Sequence, residues 1–238
     1  MAKEQPNLIF GRNPVKEALR ANRVNRVFIS NSFNDKEINL LLQEKKPYIK
    51  VVSNGELDSR CNGVHQGIMA EIKPYEYLDL DEMIRRARKV EVPIIVLLDG
   101  INDTHNLGAI LRSCDVFGAS GVIIPKHDSV PLNATVAKSS AGAINFVPVA
   151  LVGSIHQTIE RLKQEGYWIV STDGSAKIDY NQIKYDFPVV LVIGSEGKGV
   201  SPLVIKNSDY VVKIPQYGHV NSLNASVAAG ILLAKIRS

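Results

Sequence analysis

The sequence predicts an α/β protein of two domains joined by a short charged segment. Along the chain, strand-like apolar stretches alternate with stretches of helical periodicity. In the second half, several predicted strands are continuous apolar runs, which is typical of strands buried on both faces of a parallel sheet. The 238 residues are 45% apolar and 22% charged. This composition is that of a globular protein with a sizeable core.

Residues 1–75 are predicted to form a small three-layer α/β domain. Asn13 as N-cap and Pro14 at the first helical position predict a helix to about residue 21. Asp35 is predicted to cap a second helix. The strands predicted in this domain are residues 26–30, 48–53 and 67–72.

Residues 76–91 are highly charged and have few apolar positions, so they are predicted to form a linker that carries a short helix.

Residues 92–238 are predicted to form a larger α/β domain. A buried strand at 94–98 precedes a helix from about Thr104, which Gly118 is well placed to end. Ser222 is predicted as the N-cap of a C-terminal Ala-rich helix. The remaining predicted elements are strands at 121–124, 167–171, 189–193 and 210–214, and a helix at 154–165.

The net charge of +4 is unevenly distributed. Residues 1–75 carry 12 Lys/Arg and 8 Asp/Glu, a net of +4, whereas 76–91 carry −1 and 92–238 carry +1. An excess on the first domain suits a nucleic-acid partner held by its phosphates. An excess of this size also occurs by chance on solvated surfaces.

Several classes of protein are not indicated by the sequence. Cys61 and Cys114 give neither a disulfide framework nor a zinc spacing, and the five histidines give no metal-ligand spacing. We therefore expect no metal. No apolar run approaches the roughly 20 residues of a membrane span, and the N-terminus does not resemble a signal peptide. A cytoplasmic protein is expected.

Three segments are candidates for functional motifs: residues 97–118, 191–202 and 213–230. In the second, Gly-Ser-Glu-Gly-Lys-Gly at 194–199 follows a buried strand, which is where α/β sheets bind ligands. It is not a P-loop, because Gly199 stands where Ser or Thr is required. The simpler interpretation of this segment is a tight strand–helix turn.

The third segment packs four polar residues together at a helix start: Asn221, Ser222, Asn224 and Ser226. Unpaired backbone N–H groups at a helix start favour an anionic or polar ligand group. An ordinary capped C-terminal helix is the alternative interpretation.

In order and spacing, the three segments resemble the three motifs of the SpoU (TrmH-type) RNA 2′-O-ribose methyltransferases of the SPOUT superfamily. The N-terminal part resembles the small ribosomal-protein-like RNA-binding domain of the RlmB-like subgroup. This resemblance implies an α/β fold in which residues 92–238 form a deep trefoil knot. Propensity and spacing alone predict an ordinary doubly wound sheet.

The resemblance also implies the residues of the site. The residues that match the family's catalytic positions are Arg112, Asn106, Glu196, Ser222 and Asn224. Those that match its S-adenosylmethionine-contacting positions are Gly194, Ile214 and Leu223. Without the motif, Arg112 would be interpreted as a solvated helix residue. Arg112 is either a base or, because a guanidinium is hard to deprotonate, an electrostatic stabiliser.

The implied reaction is methylation of a ribose 2′-hydroxyl in RNA, with a guanosine in the peptidyl-transferase region of large-subunit rRNA as the expected target. A homodimer is expected, without membrane or DNA partners. A tRNA or another rRNA position is an alternative target. A non-catalytic RNA-binding protein of the same fold is a rival interpretation. A nucleotide-binding enzyme of another type is a second rival, although its phosphate fingerprint is absent from the sequence.

Overall fold

The computed structural model describes residues 7–61, 63–219 and 222–238. The chain divides into two compact units. The first unit contains residues 1–75 and 132–145, and the second contains residues 76–131 and 146–238.

The chain begins with alternating strands and helices up to residue 72. These are β1 (Asn7–Phe10), α1 (Arg12–Arg20), β2 (Val24–Ser30), α2 (Lys36–Lys45), β3 (Tyr48–Val52), α3 (Asn54–Asp58) and β4 (Ile68–Ile72).

The same alternation continues to the C-terminus. The elements are α4 (Leu80–Ala87), β5 (Ile94–Asp99), α5 (Thr104–Val116), β6 (Gly121–Pro125), α6 (Ala134–Ser139), β7 (Val149–Val152), α7 (Ile155–Gln164), β8 (Trp168–Thr172), β9 (Ile178–Asp179), β10 (Val189–Gly194), α8 (Pro202–Lys206), β11 (Tyr210–Lys213) and α9 (Ala225–Ile236). Short 3-10 turns occur at Ala143–Asn145 and Tyr180–Gln182.

The first unit has a mixed sheet in the order β1-β4-β2-β3. Strands β2 and β3 are parallel, and the other pairs are antiparallel. Val27 and Ala70, which are register partners, join the core beneath α1 and α2. Phe28 and Met69 point to the opposite face and pack with Leu57 of α3. Helices therefore cover both faces, which confirms the three-layer prediction.

The first helix starts earlier than the sequence predicts. Its N-cap is Gly11, with φ of 92°, and not Asn13. Pro14 is tolerated in the first turn, because the first N–H groups of a helix have no partner within the helix. Strand β1 is absent from the predicted elements, since its four residues form only an edge strand against β4.

The second unit has a sheet in the order β7-β6-β5-β10-β8-β11-β9, and its strand pairs are all parallel. Every residue of β10 is buried, as expected for a central strand covered on both faces. From β5 the chain runs through β6 and β7 to one edge, and it then returns to β8 beyond β10. The carboxyl ends of β5 and β10 lie at this reversal, where open α/β sheets bind ligands.

The short helix predicted within residues 76–91 is confirmed as α4. Asp79 caps it by accepting hydrogen bonds from the N–H groups of Asp81 (2.9 Å) and Glu82 (3.3 Å). Met83, Ile84 and Ala87 are buried in the core of the second unit. The helix therefore packs on the second sheet, although half of its residues are charged.

Both cysteines are free thiols. Cys114 lies in the buried face of α5, and burial raises the pKa of its thiol, so it remains protonated. In the part of the chain that the structure describes, no helix is both long and apolar enough to cross a lipid bilayer.

The packing of α4 generates a stability prediction for Met83→Ala. The side chain is fully buried beside Gly121, so the substitution leaves a cavity and should lower the free energy of unfolding by about 2–5 kcal/mol. Arg85→Ala on the exposed face of the same helix loses an ion pair with Glu82 and should cost no more than about 1 kcal/mol. Urea unfolding measures both variants. Equal, small effects would mean that α4 does not belong to the core.

Candidate active site

The candidate site is built at the carboxyl ends of β5 and β10. These strands are in register, so that Asp99 pairs with Gly194. The carboxylate of Asp99 accepts a hydrogen bond of 2.8 Å from the N–H of Ser201. This bond ties the end of β5 to the segment that follows β10. Asp99 is not among the predicted site residues, although an Asp-Gly pair at the end of a buried strand is a recognisable signal for such an edge.

The glycine-rich segment after β10 folds into a tight turn. Ser195 and Gly199 exchange two backbone hydrogen bonds of 3.1 and 2.9 Å. A Cβ on Gly194 would lie 2.0 Å from the carbonyl carbon of Gly199, so no side chain fits there. Gly197 and Gly199 have φ of 86° and 68°, which favours glycine. The turn therefore requires glycine for its own close approach and for its backbone conformation.

Three polar side chains converge beside this turn: Asn106 from α5, Glu196 from the turn and Asn224 from the start of α9. Oε1 of Glu196 accepts hydrogen bonds from Nδ2 of Asn106 (3.0 Å) and Nδ2 of Asn224 (2.5 Å). Nδ2 of Asn224 also donates to Oδ1 of Asn106 at 2.8 Å. We call these three residues the amide–carboxylate cluster. Among the described residues no donor reaches Oε2 of Glu196, so this oxygen can bind a ligand.

Asn224 is fixed by a second role as the N-cap of α9. Its Oδ1 accepts hydrogen bonds from the N–H of Ser226 (2.9 Å), the hydroxyl of Ser226 (2.6 Å) and the N–H of Val227 (3.3 Å). The cap holds the amide so that its nitrogen points to Glu196. The predicted N-cap at Ser222 is therefore wrong. The helix begins two residues later, because the Asn224 side chain reaches the first-turn N–H groups.

Helix ends orient the other members of the cluster. Asp103 caps α5 and accepts a hydrogen bond of 2.8 Å from the N–H of Asn106. Glu196 bonds the residue that caps α9, and the positive end of a helix dipole favours a carboxylate nearby. The buried face of α5 contains Leu107, Ile110, Leu111 and Cys114. These are the residues that periodicity places on its apolar side.

Arg112 does not join the cluster in this chain. It is exposed on α5, six residues after Asn106, which is about 9 Å along the axis and about 120° around it. Within the ranges 7–61, 63–219 and 222–238 it has neither a hydrogen bond nor an ion pair. Its guanidinium is therefore available to a ligand or to another chain.

The predicted cofactor-contacting residues lie at the same edge of the sheet. Gly194 ends β10 and is buried, and Ile214 directly follows β11 and is half-buried. Leu223 is 40% exposed, which is unusual for its type, and Ser222 beside it is also exposed. Asn221 lies outside the described residues. No group of three or more His, Cys, Asp or Glu among the described side chains could hold a metal ion.

Comparisons with known proteins identify the family of this chain. A model of the SpoU rRNA methylase family matches residues 93–234, and a model of the RNA 2′-O ribose methyltransferase substrate-binding domain matches residues 8–78. A protein of Staphylococcus haemolyticus, named for the TrmH family of tRNA/rRNA methyltransferases, is 44% identical over 96% of this chain and 94% of its own length. A Staphylococcus aureus protein of the same name is 41% identical over 98% and 96%.

Solved structures give the same result. The SpoU methyltransferase AviRb from Streptomyces viridochromogenes has a TM-score of 0.83 and 25% identity, with 98% of this chain and 88% of that chain covered. AviRb has also been solved in complex with the cofactor AdoMet, and that structure has a TM-score of 0.81.

Fold, site and comparisons together define an RNA methyltransferase with a parallel α/β sheet. The chain belongs to the SpoU rRNA methylase family, and its N-terminal part belongs to the matching substrate-binding family. SpoU methyltransferases bind S-adenosylmethionine, as the AviRb complex shows. The predictions of family, α/β fold and cofactor are thus confirmed. The RlmB-like subgroup and the trefoil knot stay predictions.

The turn after β10 generates a prediction for Gly194→Ala. Its methyl group would meet the backbone of Gly199 and Val200, so the turn must open, at a cost of about 1–3 kcal/mol in unfolding free energy. Gly174→Ala is the matched control, because a Cβ there meets no atom within 4 Å. It should change stability by less than about 0.5 kcal/mol. Urea unfolding distinguishes them, and two indistinguishable midpoints would show that the turn is not tight.

Proposed function

We propose that this chain methylates the 2′-hydroxyl of an RNA ribose, with S-adenosylmethionine as the methyl donor. The observation that carries the proposal is the amide–carboxylate cluster, which stands beside a glycine turn at the reversal point of a parallel sheet. The family match covers this whole region.

The residues around the turn fit the cofactor. Beside Gly197 and Gly199 a Cβ would meet no atom within 4 Å, so a ligand can approach the turn's backbone. Leu223 and Ile214 supply apolar surface for an adenine, and backbone groups after β10 can pair with its polar edge. Gly194, Ile214 and Leu223 would hold the cofactor. Bound there, it supplies an electrophilic methyl group on a sulfonium sulfur.

The cluster is suited to orienting the attacking hydroxyl. The two asparagine amides fix Oε1 of Glu196, and Oε2 is left to accept a hydrogen bond from the ribose 2′-hydroxyl. Holding that oxygen in line with the methyl carbon turns a bimolecular step into an effectively unimolecular one. As the C–O bond forms and the C–S bond breaks, the hydroxyl proton must leave, and a carboxylate oxygen within hydrogen-bond reach can take it.

Arg112 is assigned to charge stabilisation in this proposal. Because a guanidinium stays protonated in proteins, it suits the phosphate beside the reacting ribose and the negative charge that develops on the 2′-oxygen. Its separation from Asn106 along α5 supports action on a substrate in another subunit's cluster. We propose a homodimer in which Arg112 of one subunit completes the site of the other.

Two exposed apolar residues of the second unit support a homodimer. Helices α5 and α9 pack closely, since a Cβ on Gly230 would lie 3.6 Å from Oγ of Ser113. Each helix also has an exposed apolar residue, Val116 (70% exposed) on α5 and Val227 (49% exposed) on α9. The trefoil knot that the family resemblance implies is proposed for the same region.

The first unit is proposed to bind the RNA. On the face of its sheet, the Arg26 guanidinium lies 5.2 Å from the ring centroid of Tyr48, which is 64% exposed. Arg–aromatic pairs of this kind are platforms on which unpaired RNA bases stack. On α1, by contrast, Lys16 pairs with Glu37 at 3.1 Å, so part of the positive excess is neutralised within the protein.

We propose large-subunit rRNA as the substrate, a guanosine of the peptidyl-transferase region as the target, and the cytoplasm as the location. The positive excess on residues 1–75 and their match to a substrate-binding family support an extended RNA substrate. A tRNA is the second candidate, because the names of the Staphylococcus relatives cover both kinds of RNA.

The proposed function predicts that deleting the gene removes one 2′-O-methyl mark. Ribose methylation should be mapped on rRNA and tRNA from cells with and without the protein, and from cells that carry Glu196→Gln. Loss of a single rRNA mark in both mutant strains is expected. Loss of a tRNA mark instead would assign the second candidate, and unchanged methylation would indicate a non-catalytic RNA-binding protein.

Arg112→Ala is predicted to slow methyl transfer by about 10²–10³ while cofactor affinity changes little, because one preorganised charged donor is lost. Arg112→Lys should recover little, since lysine keeps the charge without the planar fork. Single-turnover experiments at saturating RNA and cofactor measure the rate of methyl transfer, and calorimetry measures the affinity for the cofactor. A rate within about threefold of wild type would mean that Arg112 is an ordinary surface residue with no role in methyl transfer.

Mixed dimers test whether Arg112 acts across subunits. Arg112→Ala and Glu196→Gln are each expected to be inactive alone. A heterodimer of the two then has one intact site if Arg112 acts on the partner's cluster, and activity should return. If both residues act within one subunit, every site in the mixture keeps a defect and activity stays lost.

A further inference from the structure

The first unit contains a cavity of about 550 Å³, within the size range of small-molecule and cofactor sites. Its walls are the end of β1, the first turns of α1, residues 64–66, Tyr75, and residues 137–145 from α6 and the turn after it. None of the residues assigned above to catalysis or to the cofactor lines it.

The apolar walls of the cavity include two aromatic rings. Phe10 and Tyr75 are both half-buried, so part of each ring is accessible. The Arg23 guanidinium lies 4.3 Å from the ring centroid of Tyr75, and it donates hydrogen bonds to the carbonyls of Lys73 (3.0 Å) and Pro74 (2.8 Å). These bonds hold Tyr75 in place. Burial raises the pKa of its phenol to about 12, against the opposing effect of Arg23, so the hydroxyl remains a donor at neutral pH.

Two lysines and one carboxylate line the cavity. The carboxylate, that of Glu17, pairs with Arg20 at 2.7 Å. The first of the lysines is Lys138. Its ammonium nitrogen lies 6.0 Å from the ring centroid of Phe10. The side chain is exposed, and within the described ranges of the chain it forms no ion pair. Lys16, the other lysine at the cavity, is paired with Glu37. Lys138 is therefore the cation available to a phosphate here.

The cavity wall also contains a buried acceptor that has no donor among the described residues. Nδ2 of Asn145 donates to the carbonyl of Gly142 at 3.2 Å, but Oδ1 of Asn145 is buried and unpaired. Leaving a buried polar atom unpaired costs about 1–3 kcal/mol. A ligand with an N–H group can recover this energy. Ala141, in the same wall, has φ of 50°, a conformation that is costly for alanine and that recurs at ligand-binding sites.

We propose that this cavity binds one unstacked nucleotide of the RNA substrate. The base contacts Phe10 and Tyr75 and donates an N–H to Asn145, and its phosphate pairs with Lys138. Accessible aromatic rings, a lysine with no ion pair among the described residues, and amide groups are the combination that recognises single-stranded RNA nucleotides. The inference rests on the proposed function, because it takes the ligand to be part of the RNA that is methylated.

The test compares Lys138→Ala with Lys36→Ala in the full chain. Both remove one exposed lysine of the first unit, and Lys36 does not line the cavity. Lys138→Ala should raise KM for RNA about tenfold, as expected for loss of a charge-assisted contact, while the single-turnover rate at saturating RNA stays within about twofold. Lys36→Ala should raise KM less than about threefold, because it removes only one positive charge that attracts RNA non-specifically.

Ultraviolet crosslinking of the wild-type complex gives an independent readout. Mass spectrometry should find RNA attached to the peptides that carry Phe10 or Tyr75, and Lys138→Ala should reduce this yield. Equal KM values for the two lysine variants, or crosslinks only on other peptides, would overturn the inference. A wild-type protein that methylates no RNA would instead overturn the proposed function, so the two failures are distinguishable.

A free mononucleotide carries the same base and phosphate groups and could occupy the cavity in place of RNA. Millimolar GMP or AMP should compete weakly with RNA for the wild-type protein and less for Lys138→Ala. If a mononucleotide binds the cavity while RNA binding is the same in both lysine variants, the cavity serves a free nucleotide and the RNA assignment is wrong.

Discussion

The site depends on the pairing of β10 with β5 on one side and β8 on the other. This strand is buried along its whole length and lies in the middle of the parallel sheet. Its register places Gly194 beside Asp99, and the turn that follows begins next to the start of α5. Because the carboxyl ends of parallel strands meet at one edge, segments far apart in sequence reach the same place. Asn106 and Asn224 are separated by 118 positions and still form a hydrogen bond.

Asn224 links the stability of the last helix to the chemistry of the site. Its carbonyl oxygen caps α9, and its amide nitrogen holds Glu196 and Asn106. A serine or aspartate could cap the helix as well, because both are preferred at this position. Neither has an N–H group to donate to the carboxylate. The choice of asparagine is therefore explained by the cluster and not by the cap alone.

Much of the fold is predictable from local sequence. Continuous apolar runs indicate the central strands, and periodicity indicates the buried face of α5. Three short elements, β1, α3 and α6, are not predicted, because their formation depends on packing against distant residues. The start of α9 is misplaced because both Ser222 and Asn224 are good caps, and only the tertiary bonds of Asn224 distinguish them.

The site is predictable only in part. The motifs identify Asn106, Glu196 and Asn224, and the structure brings them together. Spacing alone could not do so, because the contacts are set by the strand order. The same reason hides the cavity of the first unit, whose walls come from both ends of a long stretch of chain.

The division of the chain has a consequence for how this protein can have evolved. The chain passes from one unit to the other after residues 75, 131 and 145. Recombination at a single point near residue 75 would separate α1 from α6, although both contribute to the same unit. An exchange of RNA-binding modules between relatives must therefore carry two pieces of gene, or residues 134–145 must change together with residues 10–18. Relatives that exchanged these modules should therefore show correlated substitutions in the two segments.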